Sequence, residues 1–124
     1  MEYPVEAKNV MSNFEVEFYA LVKKAFPKLD VFVQVQLSRF ILVKKGNDFD
    51  YWWKKYSLMT VDYLICNKGE VLFAIELDDT THELPNRIIS DKKKNKIFEN
   101  AGIRLHRFHV NEMPKVKTLK SLSA

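Results

Sequence analysis

Apolar and polar positions follow one another in a series of patterned stretches, and each stretch predicts an element. Phe14, Phe18, Leu21, Val22 and Ala25 recur at helical spacing, so a helix turns one apolar face to a core and stops before Pro27. Ser12 marks its start as N-cap, with Glu15 three residues on as in a capping box and Met11 and Val16 placed as a hydrophobic staple. Val31, Val33, Val35 and Leu37 alternate with Phe32, Gln34 and Gln36, the pattern of a strand with one greasier face. Two apolar runs, Val61 to Cys66 and Val71 to Ile75, flank Asn67-Lys68-Gly69 and predict a hairpin of two largely buried strands. A second helix begins at Pro85 as its first residue or after Ser90 as N-cap, and Gly102 stops it after Ala101. Ile103 to Val110 then alternates as a last strand.

Between these stretches the pattern weakens. Residues 1 to 10 predict a poorly ordered lead-in, and residues 111 to 124 a short, basic, mobile tail, leaving 11 to 110 as the folded domain. Residues 38 to 60 predict a loop with one short helix and carry a dense aromatic patch at Tyr51, Trp52 and Trp53. That patch reads either as a lid of core aromatics over the sheet edge or as a stacking surface beside Lys44, Lys45, Lys54 and Lys55. The order helix, three strands, helix, strand predicts an α/β fold, a mixed central sheet flanked by helices, because strands two and three form a hairpin while strand four follows a crossover helix.

A chain of 124 residues makes one domain that can bury a core without staples. The lone Cys66, in an apolar strand, is a core residue and excludes a zinc ribbon or finger. A net charge of +4 is compatible with nucleic acid without requiring it. No membrane span or signal peptide is visible, so a soluble, cytoplasmic protein is expected.

The acids change the picture most. Asp62 interrupts the first hairpin strand, and Glu76 and Asp78 end the second, where alternation places both on one face. Unpaired carboxylates in such runs cost several kcal/mol, so a cation is expected there. Asp62 and Glu76, with the Leu77 carbonyl, form a hard-oxygen set suited to Mg²⁺, which polarises a phosphodiester and acidifies water. His82 is a candidate general base. Each has a plainer reading: Asp62 paired with a lysine, Asp78 and Asp79 as turn residues, His82 as surface, Glu15 as a capping residue and Asp91 as a first-turn acid. Lys92, Lys93, Lys94 and Lys96 crowd the first turns of the second helix, where cations oppose the helix dipole and a bound anion or nearby acids would help hold them.

Asp62-Tyr63, Ala74-Ile75-Glu76-Leu77-Asp78-Asp79, His82, Ser90-Asp91, Ala101-Gly102-Ile103 and Arg107-Phe108 together resemble the PD-(D/E)xK restriction-endonuclease-like superfamily. The pattern is most similar to the branch of very-short-patch-repair and EDxHD endonucleases and a bacterial family of nuclease-like domains. The resemblance implies an αβββαβ core over about residues 11 to 109 and a Mg²⁺-dependent (or Mn²⁺-dependent) deoxyribonuclease of bacterial or phage origin. It assigns Asp62 and Glu76 to the metal, His82 and Asp91 to the branch's His and Asp, and Glu15 to its leading Glu. Asp78 stands where the wider superfamily has lysine, so His82 or Lys94 is expected to supply the missing function. DNA is the implied partner, held through Lys44, Lys45, Lys54, Lys55, Lys92, Lys93, Lys96 and Arg107. Specificity would come from residues 38 to 60, a homodimer or a separate subunit. The competing expectation is an inactive nuclease fold that binds nucleic acid without turnover.

Overall fold

The computed structural model describes residues 1–122, with the side chain of His82 outside that description. Its order is α1 (Asn13–Ala25), β1 (Asp30–Gln36), α2 (Phe49–Trp53), β2 (Thr60–Asn67), β3 (Glu70–Asp78), α3 (Pro85–Ala101), β4 (Leu105–His109) and α4 (Val116–Lys120). The strands form one sheet in the order β1-β2-β3-β4, antiparallel except for the parallel β3–β4 pair. The sheet is mixed because α3 carries the chain back along the sheet before β4, whereas β2 and β3 join through Lys68-Gly69, both at positive φ (50° and 86°), as a two-residue hairpin turn requires.

Two cores lie on opposite faces of this sheet. Phe18, Val22 and Ala25 of α1 and Leu119 of α4 pack on Tyr63, Ile65, Phe73, Ile75 and Leu77. On the other face Phe98 of α3 joins Leu37, Ile41 and Tyr56 over Leu64, Cys66 and Ala74. From Phe73 onward the alternation of β3 therefore sends odd positions to α1 and even positions, Glu76 included, to α3.

The structure departs from the sequence pattern in several places. The tail is not mobile over its described part: Val116–Lys120 is helical, Leu119 is fully buried, and Met113, Val116 and Leu122 pack against the first core. The aromatic patch is not a lid, since Tyr51, Trp52 and Trp53 are exposed and Tyr56 alone of that run enters the core. Helix α3 starts at Pro85, so Lys92 to Lys96 lie in its middle turns and Asp91 is not a first-turn acid. An anion at a helix start has no part in holding those lysines. The capping box of α1 is present, with Ser12 accepting from the Glu15 N–H and Glu15 accepting from the Ser12 N–H, but Phe14 and Val16 are exposed.

Candidate active site

The β2–β3 ladder runs only from Tyr63↔Ile75 to Asn67↔Glu70, so toward Asp62 and Glu76 the two strands part. Parting leaves backbone donors without ladder partners, and the acids take them. The Asp62 N–H donates to Glu76 Oε2 (3.1 Å) and the Leu77 N–H donates to Asp62 Oδ2 (2.8 Å). Two carboxylates thus replace carbonyls at the end of a sheet, which is why acids interrupt otherwise apolar strands.

Strand β1 is distorted at the same level. Its register with β2 runs from Asp30↔Cys66 to Gln36↔Thr60 with one gap, where Gln34 stands opposite Asp62. Gln34 has φ 50°, a left-handed conformation that costs a non-glycine residue of the order of 1 kcal/mol or more. The strain is offset by what its side chain reaches. Gln34 Nε2 donates to Asp62 Oδ1 (3.1 Å) and to Glu15 Oε2 (2.6 Å), tying β2 to the first turn of α1. Val61 packs with Leu64 in the second core, although alternation from Tyr63 assigns it to the first, so β2 changes side-chain phase opposite Gln34. Tyr63 fixes α1 from the same strand, its hydroxyl donating to the Glu15 carbonyl (2.6 Å).

From the other face comes Lys94 of α3. Its ammonium donates to the Thr60 carbonyl (2.7 Å) and forms an ion pair with Glu76, whose side chain is 4% exposed. Burial, then the hydrogen bond and charge of Glu76, push the Asp62 carboxyl up from 3.8 to about 7, while the donors from Leu77 and Gln34 pull it partly back. Lys94 therefore balances one acid and leaves its neighbour short of positive charge.

The groups open on a cleft of about 550 Å³ whose charged lining is Glu15, Asp62, Glu76 and Asp79 against Arg87 and Lys94. Among the described residues no three metal-ligating side chains converge into a ready-made ion site. The donor set is instead two carboxylates. That number suits Mg²⁺, which keeps several waters and completes its shell with substrate phosphate. The charge deficit at Asp62 is the observation that fits a divalent cation here.

Of the residues singled out in the sequence, Asp62, Glu76, Leu77, Glu15 and Lys94 come together. Asp78 and Asp91 instead hold Arg107, at 2.8 and 3.8 Å, and Arg107 Nε donates to Asn95 Oδ1 (3.0 Å), which locks β4 to β3 and α3. Arg107 is thereby committed to internal partners. The side chain of His82 lies outside the described residues, and its backbone belongs to a short 3-10 turn, Thr80–Glu83, capped by Asp79. Lys44, Lys55, Lys93 and Lys96 line a groove formed with α2 and α3, while Lys45, Lys54 and Lys92 are simply exposed. Gln34 was missed as a site residue; a polar side chain in β1 at the level of the acids is a signal for it.

Fold and site define an α/β protein with paired carboxylates at the opened end of a mixed sheet. A family model described as a protein of unknown function (DUF2726) matches residues 7–122, and the chain belongs to that family. No curated protein matches the chain. No solved structure matches it either. Among the described residues no helix is long and apolar enough to cross a membrane.

Proposed function

We propose that this protein is a metal-dependent DNA endonuclease or nickase of the restriction-endonuclease-like kind. The observation that carries the reading is the pair Asp62 and Glu76, fixed by backbone N–H groups where β2 and β3 part, in an acidic cleft that phosphate can approach only with added positive charge. Asp62, Glu76 and the Leu77 carbonyl would hold Mg²⁺ or Mn²⁺, which supplies polarisation of the phosphodiester and acidification of the attacking water.

The chain's own groups do the rest. Leu77 N–H and Gln34 Nε2 orient the Asp62 carboxylate, and Glu15 anchors Gln34. Lys94 orients Glu76 and is the cation assigned to the function of the superfamily's lysine, while Asp78 pairs with Arg107. His82 is assigned water activation by the family resemblance. Exposed Lys45, Lys54 and Lys92 hold backbone phosphates without reading sequence.

The test is cleavage of supercoiled plasmid and of single-stranded and branched DNA with Mg²⁺, with Mn²⁺ and with chelator. Metal-dependent cutting that Glu76→Ala abolishes in a folded variant supports the reading. Its absence on every substrate sinks it. One observation favours a second reading, a binding module without turnover: Lys94 already neutralises Glu76 without a metal. Salt-sensitive DNA binding indifferent to metal, with no cutting, would support that alternative.

A further inference from the structure

Helix α3 has a second working face. Lys94 turns toward the acids, while Lys93, Lys96, Ile97 and Asn100, spaced as one helical face, border a groove of about 460 Å³ closed on its far side by α2 and the segment before it. The groove has an unusual lining for a monomer's surface. Trp52 and Leu42 are 48% and 88% exposed there, yet Lys44 and Lys55 also stand on its rim and no acid lines it. Lys55 is held over the Tyr51 ring (4.6 Å), and Tyr51 packs edge-on against Trp52 (5.0 Å), so an aromatic face and a cation are presented together. Lys96 has a loose surface contact with Glu99 at 3.8 Å, which solvent screens.

We propose that this groove seats an unpaired nucleotide of the DNA substrate, its base lying on Trp52 and its flanking phosphates on Lys44, Lys55, Lys93 and Lys96. The charge of the rim calls for a polyanion, and the apolar floor for a flat apolar group, and an unstacked nucleotide is both. A duplex keeps its base faces covered and offers only phosphates, so the floor would go unused. Lys93 lines the groove and Lys94 the acidic cleft, so the two sites lie on adjoining flanks of α3. This inference rests on the nuclease reading and deepens it by naming the substrate class: DNA with a single-stranded or flipped-out segment near the cut.

The experiment is fluorescence anisotropy of a labelled oligothymidine, of a strand of the same length made abasic throughout, and of a duplex, all in chelator so that metal and cutting play no part. Single strand should bind roughly 10-fold or more tighter than the abasic strand. Trp52→Ala should erase that difference, Trp52→Phe should keep most of it, and Lys93→Ala with Lys96→Ala should lower the salt slope by about 1.4, as loss of two single-strand phosphate contacts requires. Equal binding of single strand and duplex, or Trp52→Ala indistinguishable from wild type, overturns the groove assignment. So does displacement of Trp52 fluorescence by an acidic peptide but not by oligothymidine, or self-association that Trp52→Ala abolishes. Metal-dependent cutting that survives such a result leaves the nuclease reading standing. Conversely, Trp52-dependent single-strand binding by a protein that never cuts leaves the groove and removes the nuclease.

Discussion

Replacing Lys94 by methionine takes the positive charge from an ion pair whose side chains are 13% and 4% exposed, and leaves Glu76 without its counter-ion. Removing one member of a buried pair costs ~3–5 kcal/mol, because the remaining charge loses its compensation without regaining water. The lost bond to the Thr60 carbonyl adds about 1 kcal/mol. The cleft lets some water reach Glu76, so the lower end applies and the expected loss is about 3–4 kcal/mol. That is a large part of the ~5–15 kcal/mol typical of a domain. The double variant Glu76→Gln, Lys94→Met keeps an acceptor for the Asp62 N–H while removing both charges, and should lose only ~1–2 kcal/mol. Urea denaturation of wild type, both singles and the double in chelator reads these numbers directly. Excess Mg²⁺ should restore Lys94→Met more than it stabilises wild type, since a cation can enter where the ammonium stood. A Lys94→Met protein within about 0.5 kcal/mol of wild type, or a double variant no more stable than the single, refutes the placement of Lys94 as the counter-ion of Glu76.

Asp62 carries a pH signature. Its carboxyl is held near 7 in the folded protein against 3.8 ordinarily, so the folded state binds the proton more tightly. The stability this contributes is complete below about pH 4, is lost as pH rises toward 7 and stays lost above it. Asp62→Asn should therefore gain on wild type across that window by on the order of 2–4 kcal/mol in chelator, and parallel stability curves from pH 4.5 to 8.5 would contradict it. Gln34→Ala loses both side-chain bonds and keeps the strained φ, costing about 2 kcal/mol, whereas Gln34→Gly should cost about 1 kcal/mol less because glycine adopts φ 50° freely; equal losses in urea titration would count against the strain. Leu119→Ala should destabilise by ~2–5 kcal/mol, and an unchanged thermal midpoint would mean that α4 does not seal the first core.

Local chemistry made much of this fold legible. The capping box at Ser12 and Glu15, the Lys68-Gly69 turn and the Gly102 stop are each encoded within a few residues, so α1, the hairpin and the end of α3 follow from the chain alone. The start of α3 was ambiguous because Pro85 and Ser90 both suit a helix start, and the helix takes the earlier one, with Pro85 in its first turn. Helix α4 escaped notice because a five-residue element shows too little periodicity, its two apolar positions, Val116 and Leu119, standing among lysines. Within the site, Asp62 and Glu76 stood out because acids are costly in apolar strands. Of their partners, Lys94 was named only through the family resemblance and Gln34 not at all. Gln34 reads as the polar half of an alternating strand, and the bond from Lys94 to Glu76 spans 18 residues, which no local pattern reports. Asp78 looked equivalent to Glu76 by alternation, and their partners separate their roles: Lys94 pairs with Glu76, while Arg107, opposite Glu76 in the parallel register of β4, reaches Asp78.

If β2 and β3 part to leave two carboxylates one cation short, the folded protein takes up a divalent ion between them. Titration of Mn²⁺ into the folded protein, followed by electron paramagnetic resonance at pH 8, tests it without requiring a substrate. One bound ion per chain is expected in wild type, weakening as pH falls below about 7 as Asp62 takes up its proton, and lost in Asp62→Asn and in Glu76→Gln. Binding that survives both substitutions, or a folded wild type that takes up no Mn²⁺ at any concentration tried, would contradict it.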